Sequence, residues 1–173
     1  MKRNGRPAPR SRAAHQQKEK LDLSFLYQEA ARYFRVFLAG RQDEARRLRR
    51  RLVRRLARAM SAGEVTAKHW LLLADLYTRL KPAECCLRQA LRIAPRDAEV
   101  HAELAYVLAR RGRAREARRH VSLALRYCKA GDPVEEEILY AAGDAAAMVD
   151  QEDLARKAKR RGRSRFPDSP LFR

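Results

Sequence analysis

Residues 98–131 read AEVHAELAYVLARRGRAREARRHVSLALRYCKAG. In the first half, Leu104, Ala105 and Leu108 fall at helical spacing; in the second, Ala117, Val121, Ala124 and Leu125 do the same. Gly112 lies between them, where a turn is expected. The pattern recurs on both sides. Ala83 precedes Ala117 by 34 residues, and the same offset pairs Leu87 with Val121, Ala90 with Ala124 and Leu91 with Leu125. A further copy follows at an offset of 38, pairing Ala117 with Ala155 and Ala105 with Gly143, and Pro95 and Pro167 stand 72 apart. The extra four residues fit a longer link at Gly131-Asp132-Pro133. Leu73-Ala74 precede Leu104-Ala105 by only 31, so the first copy is about three residues short near Lys81-Pro82.

This spacing resembles the tetratricopeptide repeat, a helix–turn–helix unit of about 34 residues. In residues 98–131, Leu104 and Ala105 stand at the family's seventh and eighth positions, Gly112 in its turn, and Ala117 and Ala124 at the twentieth and twenty-seventh. In 136–169, Gly143, Ala155 and Pro167 stand at the eighth, twentieth and thirty-second. The short copy, 67–97, has Trp70, Leu73, Ala74 and Tyr77, then Ala83, Ala90 and Pro95. His101 replaces the family's Trp, Lys129 its Pro, and Gly162 a usual Ala. The resemblance implies an all-α, right-handed α-solenoid of antiparallel helix pairs. It would have three repeats over 67–169 plus an N-terminal helical hairpin over 21–63. Small residues let the helices nest, with Ala105 and Gly143 expected to face Ala117 and Ala155. A lone pair buries no core, so stacking must close it and the ends need caps. Phe166, Leu171 and Phe172 are placed to cover the last pair, leaving 170–173 as a short C-terminal tail.

Upstream, Leu23, Leu26, Tyr27, Ala30, Ala31, Phe34 and Phe37 suggest one helix face, ending at Gly40. The next helix carries Ala45, Leu48, Leu52, Val53 and Leu56 on one stripe and arginines over the rest. In a degenerate repeat over 26–59, Gly40 and Ala45 fall in register, but Arg32 and Tyr33 do not. Residues 1–20, with Gly5, Pro7, Pro9 and many charges, read as a basic flexible tail.

The chain has 173 residues with 46% hydrophobic content, enough for a continuous core. Its net charge of +19 is uneven: residues 1–60 hold 18 basic and 5 acidic residues, and 61–173 hold 22 and 16. Cys85, Cys86 and Cys128 make no disulfide framework and no metal-ligating pair, and a reducing cytoplasm is the simple expectation. The basic N-terminus lacks the apolar stretch of a secretory leader, and no run approaches a membrane span. His15, His69, His101 and His120 are scattered, and no Gly-rich phosphate loop is present. We therefore expect no catalytic residues, no cofactor and no metal. Glu135-Glu136-Glu137 read as favourable charges at a helix start.

The family binds partners along the concave face lined by the first helix of each pair. That resemblance puts Lys68, Asp75 and Arg79 there, then Glu99, Tyr106 and Arg110, then Glu137, Tyr140, Asp144 and Met148. Members that clamp a C-terminal carboxylate use Lys and Asn at the fifth and ninth positions; here these are Ala102 and Tyr106, then Tyr140 and Asp144. Tyrosines among acids suit a peptide with apolar and basic side chains, with Tyr106 and Tyr140 as anchors. The leading expectation is thus a protein-interaction adaptor. An alternative is association with RNA or DNA through Arg46, Arg47, Arg50, Arg51, Arg54, Arg55 and Arg58. A third is a chaperone resembling those of bacterial type III secretion, against which the basic charge argues.

Overall fold

A computed structural model describes residues 23–63 and 65–173, so the tail expected over 1–20 lies outside the described residues. Among the described residues there are eight α-helices, one short 3-10 helix and no strand. The chain divides after Val65 into two compact units. The first contains α1 (Leu23–Leu38) and α2 (Gln42–Ala62). The second contains α3 (Ala67–Asp75), α4 (Leu80–Ile93), α5 (Ala98–Arg110), α6 (Ala114–Tyr127), α7 (Glu135–Met148), α8 (Glu152–Arg165) and the 3-10 helix Pro170–Phe172.

In the first unit α1 packs on α2. The buried residues of α1 are Leu26, Ala30, Tyr33 and Val36. This corrects the stripe expected through Phe34 and Phe37, which are 37% and 42% exposed. Aromatic and aliphatic residues surround so much of α1 that periodicity selects no single face. The partner selects it: α2 offers a narrow stripe of buried Ala45, Leu52 and Leu56, flanked by half-buried Leu48 and Val53, with arginines over most of the remaining surface.

In the second unit, α3 packs with α4, α5 with α6 and α7 with α8. Neighbouring pairs stack through α4 on α5, α5 on α7 and α6 on α7. The layers between them are filled by Leu87, Leu104, Leu108, Val121, Ile138 and Leu139, all nearly inaccessible to water. Each such leucine contributes about 1.5–3 kcal/mol by leaving water. Alanine and glycine make the close approach possible. A Cβ on Gly143 would lie 3.3 Å from the Ala158 Cβ, so the seam of the last pair runs through Ala158. Ala155, the expected partner, is only half-buried.

Three of the turns within pairs repeat one hydrogen-bond pattern. Gly40, Gly112 and Asp150 have φ of 74°, 71° and 56°, in the left-handed region. The next residue's N–H reaches back five positions in each: Arg41 to Val36 O (3.2 Å), Arg113 to Leu108 O (2.9 Å) and Gln151 to Ala146 O (2.9 Å). This is the Schellman closure, which satisfies carbonyls left open at a helix end. Glycine enters that conformation without a Cβ penalty, and Asp is among the residues that tolerate it. The first hairpin therefore shares the turn of the later pairs. The α3–α4 turn lacks it, holding instead a shorter contact from Tyr77 N to Ala74 O of 3.0 Å. This is where the copy is about three residues short.

Two buried carboxylates bind the stack together. Glu84 on α4 pairs with Arg88 at 2.8 Å and with Arg113 and Arg111 of the α5–α6 turn, the first at 2.7 Å. Glu135 at the start of α7 accepts from Gly131 N–H at 2.8 Å and from the Arg161 side chain at 3.0 Å. It therefore does more than face a helix dipole. At the far end Phe172 is buried against Gly162 and stacks on Phe166 with ring centroids 6.5 Å apart. Leu171, expected beside it, is 42% exposed.

Candidate functional site

The first helices α3, α5 and α7 carry all but Arg79 of the residues singled out for the groove. Asp97 starts α5, its carboxylate accepting from the N–H groups of Glu99 (3.0 Å) and Val100 (3.2 Å). From that start, Glu99, Glu103, Tyr106 and Arg110 follow at spacings of four, three and four, which is one stripe of the helix. Lys68 on α3 pairs with Glu99 across the repeat boundary. Burial works against the Lys68 charge, but the hydrogen bond and charge of Glu99, with Asp97 and Asp132 farther off, hold its pKa above the ordinary value.

Asp75, at the end of α3, faces the same acids. Its surface is open to water, yet its enclosed setting and then the charges of Glu103 and Glu99 push its pKa up to about 8, against the pull of Lys68. Burial and the charge of Glu99 likewise push Glu103 up to about 7. So three carboxyl groups and one ammonium share a region bounded by Tyr106, whose ring carries the Arg110 guanidinium at 5.8 Å. Such a set prefers either to hold protons or to meet added positive charge.

On α7, Glu137, Tyr140, Asp144 and Met148 stand at spacings of three, four and four, again one stripe. Tyr140 and Met148 are each 44% exposed, so both are open to contact from outside the chain. Arg79 stands apart, exposed at the N-terminal boundary of α4. Glu103 was not among the sequence candidates. Its spacing of four from Glu99 and three from Tyr106 was the available signal.

The arginine candidates all lie on α2. Arg46 pairs with Asp43 at 3.4 Å, and Arg55 pairs with Glu29 while its guanidinium lies 5.4 Å from the Phe25 ring centre. Arg47, Arg50, Arg51, Arg54 and Arg58 are exposed.

The described histidines have structural partners. His69 Nδ1 accepts from Thr66 N–H at 3.2 Å, at the start of α3. The buried His101 places Nε2 3.1 Å from the Pro95 carbonyl oxygen, which can only accept, so Nε2 carries the proton. Its Nδ1 then accepts from His120 Nδ1–H at 2.9 Å. Burial lowers the pKa of both, and His101, Arg88 and Arg119 help bring His120 to about 4. His15 lies outside the described residues. The three cysteines are free, and burial and then Cys85 raise the Cys86 thiol to about 11. Among the described residues, no group of three or more His, Cys, Asp or Glu could hold a metal ion, and no helix is long and apolar enough to cross a membrane.

No family model matches the sequence, and no curated protein matches it. Among solved structures, the chain is similar to YrrB, described as a TPR protein with an unusual peptide-binding site. The TM-score is 0.55 at 17% identity, over 92% of this chain and 84% of that one. The fold is TPR-like. Stacked helix pairs with small-residue seams account for the likeness at an identity where few side chains are shared. In such TPR-like stacks the first helices form one continuous face. Here α5 and α7 pack directly on each other and Lys68 links α3 to α5.

Proposed function

We propose that the chain is a non-enzymatic interaction scaffold that holds a peptide or protein segment along the face of α3, α5 and α7. The observation that carries this reading is the gathering of Asp75, Glu99 and Glu103 beside Tyr106, with Tyr140, Asp144 and Met148 on the next first helix. In a chain of net charge +19, a face that collects carboxylates stands against the general charge and favours a basic partner. Exposed Tyr140 and Met148, with the half-buried Tyr106, supply the apolar contact that such segments need. Lys68 is engaged by Glu99 and no asparagine stands at the ninth positions, so internal segments suit this face better than a terminal carboxylate. The peptide-binding site named for YrrB is consistent with this reading.

The test is fluorescence anisotropy with labelled peptides alternating Lys or Arg with Leu, against an acidic control. We expect the basic peptide to bind and the acidic one not to. The Tyr106→Ala/Tyr140→Ala variant should weaken binding by about ten- to thirtyfold. The pH sign follows from the raised pKa values. A bound cation favours ionised carboxyls, so affinity should rise as pH passes upward through about 7 and 8, where Glu103 and Asp75 titrate. Unchanged affinity in the double variant would remove both tyrosines as anchors, and preference for the acidic peptide would overturn the proposal.

A further inference from the structure

The surface of α2, in the first unit, carries a different chemistry. Arg47, Arg50, Arg54 and Arg58 follow at spacings of three, four and four, Arg51 stands beside Arg50, and all five are exposed, so they form one row along the helix. The acids of α2, Asp43 and Glu44, lie in its first turn and pair with Arg46 and Arg41. Glu29 of α1 is taken by Arg55. None of the five side chains has an ion pair or hydrogen bond among the described residues. Like charges at this spacing repel, and no carboxylate among the described residues pairs with them. With Arg55 their side chains flank a shallow depression of about 470 Å³.

The other basic helix differs. On α8, Arg156 is held by Glu152 and Asp153, Arg161 and Arg165 by Glu135, and Arg163 by the Phe172 carbonyl oxygen. Four of its arginines are thus held by other groups of the same unit, with Arg160 left exposed, whereas no side chain of the α2 row has such a partner among the described residues.

We propose that the Arg47–Arg58 row of α2 binds the phosphate backbone of nucleic acid without reading bases. Guanidinium groups take phosphate oxygens in pairs, and a row of them fits a linear polyanion. The helix has no aromatic residue to stack on a base, and the nearby Phe25 already carries Arg55 on its ring. A membrane surface suits α2 less well. Its apolar residues Ala45, Leu52 and Leu56 are buried in the hairpin, so α2 itself has no apolar side to insert.

The experiment uses the full chain and a labelled 20-base-pair RNA duplex of arbitrary sequence, with a matching DNA duplex, at two salt concentrations. Two variants remove equal charge: Arg50→Gln/Arg51→Gln/Arg54→Gln on α2, and Lys157→Gln/Lys159→Gln/Arg160→Gln on α8. Glutamine is a good helix former, so both should keep the parent circular dichroism. We expect the parent to lose about a hundredfold or more in affinity between roughly 50 and 200 mM salt. The α2 variant should lose at least about tenfold at the lower salt, with a salt slope shallower by about three. The α8 variant should lose less than about threefold. Equal losses in the two variants would mean that net charge alone drives binding, and would overturn the proposal. So would no binding to either duplex at low salt, or binding only to phosphatidylserine vesicles under the same conditions.

Discussion

Replacing Glu135 with alanine should destabilise the 66–173 unit by about 3–5 kcal/mol, read as a shift in urea midpoint. The side chain has no exposed surface, yet it collects the Gly131 N–H and the guanidinium groups of Arg161 and Arg165. Arg161 in turn donates to the Cys128 carbonyl oxygen at 3.0 Å, so this group joins α8 to the link that precedes α7. Truncation strands the half-buried Arg161 and a backbone donor, and takes the exposed Arg165 away from its carboxylate. Breaking a pair in this way costs far more than the pair itself contributes. Glutamine, which keeps an acceptor for Gly131, should cost less.

The pH dependence has a definite sign. Burial works to raise the Glu135 pKa, but the Gly131 N–H and the two arginines outweigh it, and the carboxyl sits below its ordinary 4.5. Its contribution is therefore present in full above about 4.5 and fades as pH falls through the depressed folded value. The alanine variant should show a flatter acid limb than the parent. A loss of about 1 kcal/mol or less, as for a surface ion pair, would contradict this account of Glu135.

Phe172→Ala should cost about 3 kcal/mol. The ring is 4% exposed although it stands second from the last residue of the chain, because it closes over Gly162 at the end of the stack. Arg163 Nε holds the backbone there by donating to the Phe172 carbonyl oxygen at 2.7 Å. Gly162 has no room for more: an added Cβ would lie within 2.6 Å of three carbons of the Phe172 ring. Gly162→Ala alone should therefore destabilise, by displacing the ring. In the Phe172→Ala background the same change should turn stabilising by about 1 kcal/mol, since the methyl fills vacated space and alanine favours helix. Thermal denaturation of the four proteins reads this reversal. Additive losses would show that Phe172 does not close the stack through Gly162.

Much of this fold was legible in the sequence, for a physical reason. Backbones that approach as closely as those at Ala105, Ala117 and Ala124 admit only small residues, so such positions leave a regular trace. The turns left a weaker one. Gly40 and Gly112 announced themselves, but Asp150 adopts the same left-handed conformation without glycine. The α1 face was misjudged at Phe34 and Phe37 because its apolar residues exceed what α2 can cover. The Gly143 partner was misassigned because the seam of the last pair is shifted by three residues, to Ala158. The role of Glu135 was missed because its partners lie 26 and 30 residues away, at Arg161 and Arg165, beyond the reach of any local pattern. Register placed Lys68, Tyr106 and Tyr140 on first helices. The joining of Asp75 to Glu99 and Glu103 could not be read that way, since it depends on how two neighbouring pairs stack.

The most direct measurement is backbone amide shift mapping of the nitrogen-labelled protein during titration with the basic, leucine-containing peptide. We expect the perturbed amides to lie on α3, α5 and α7, centred on Asp75, Glu103, Tyr106 and Tyr140, with α4, α6 and α8 nearly silent. Perturbation confined to those second helices, or to α1 and α2, would contradict a binding face made by the first helices.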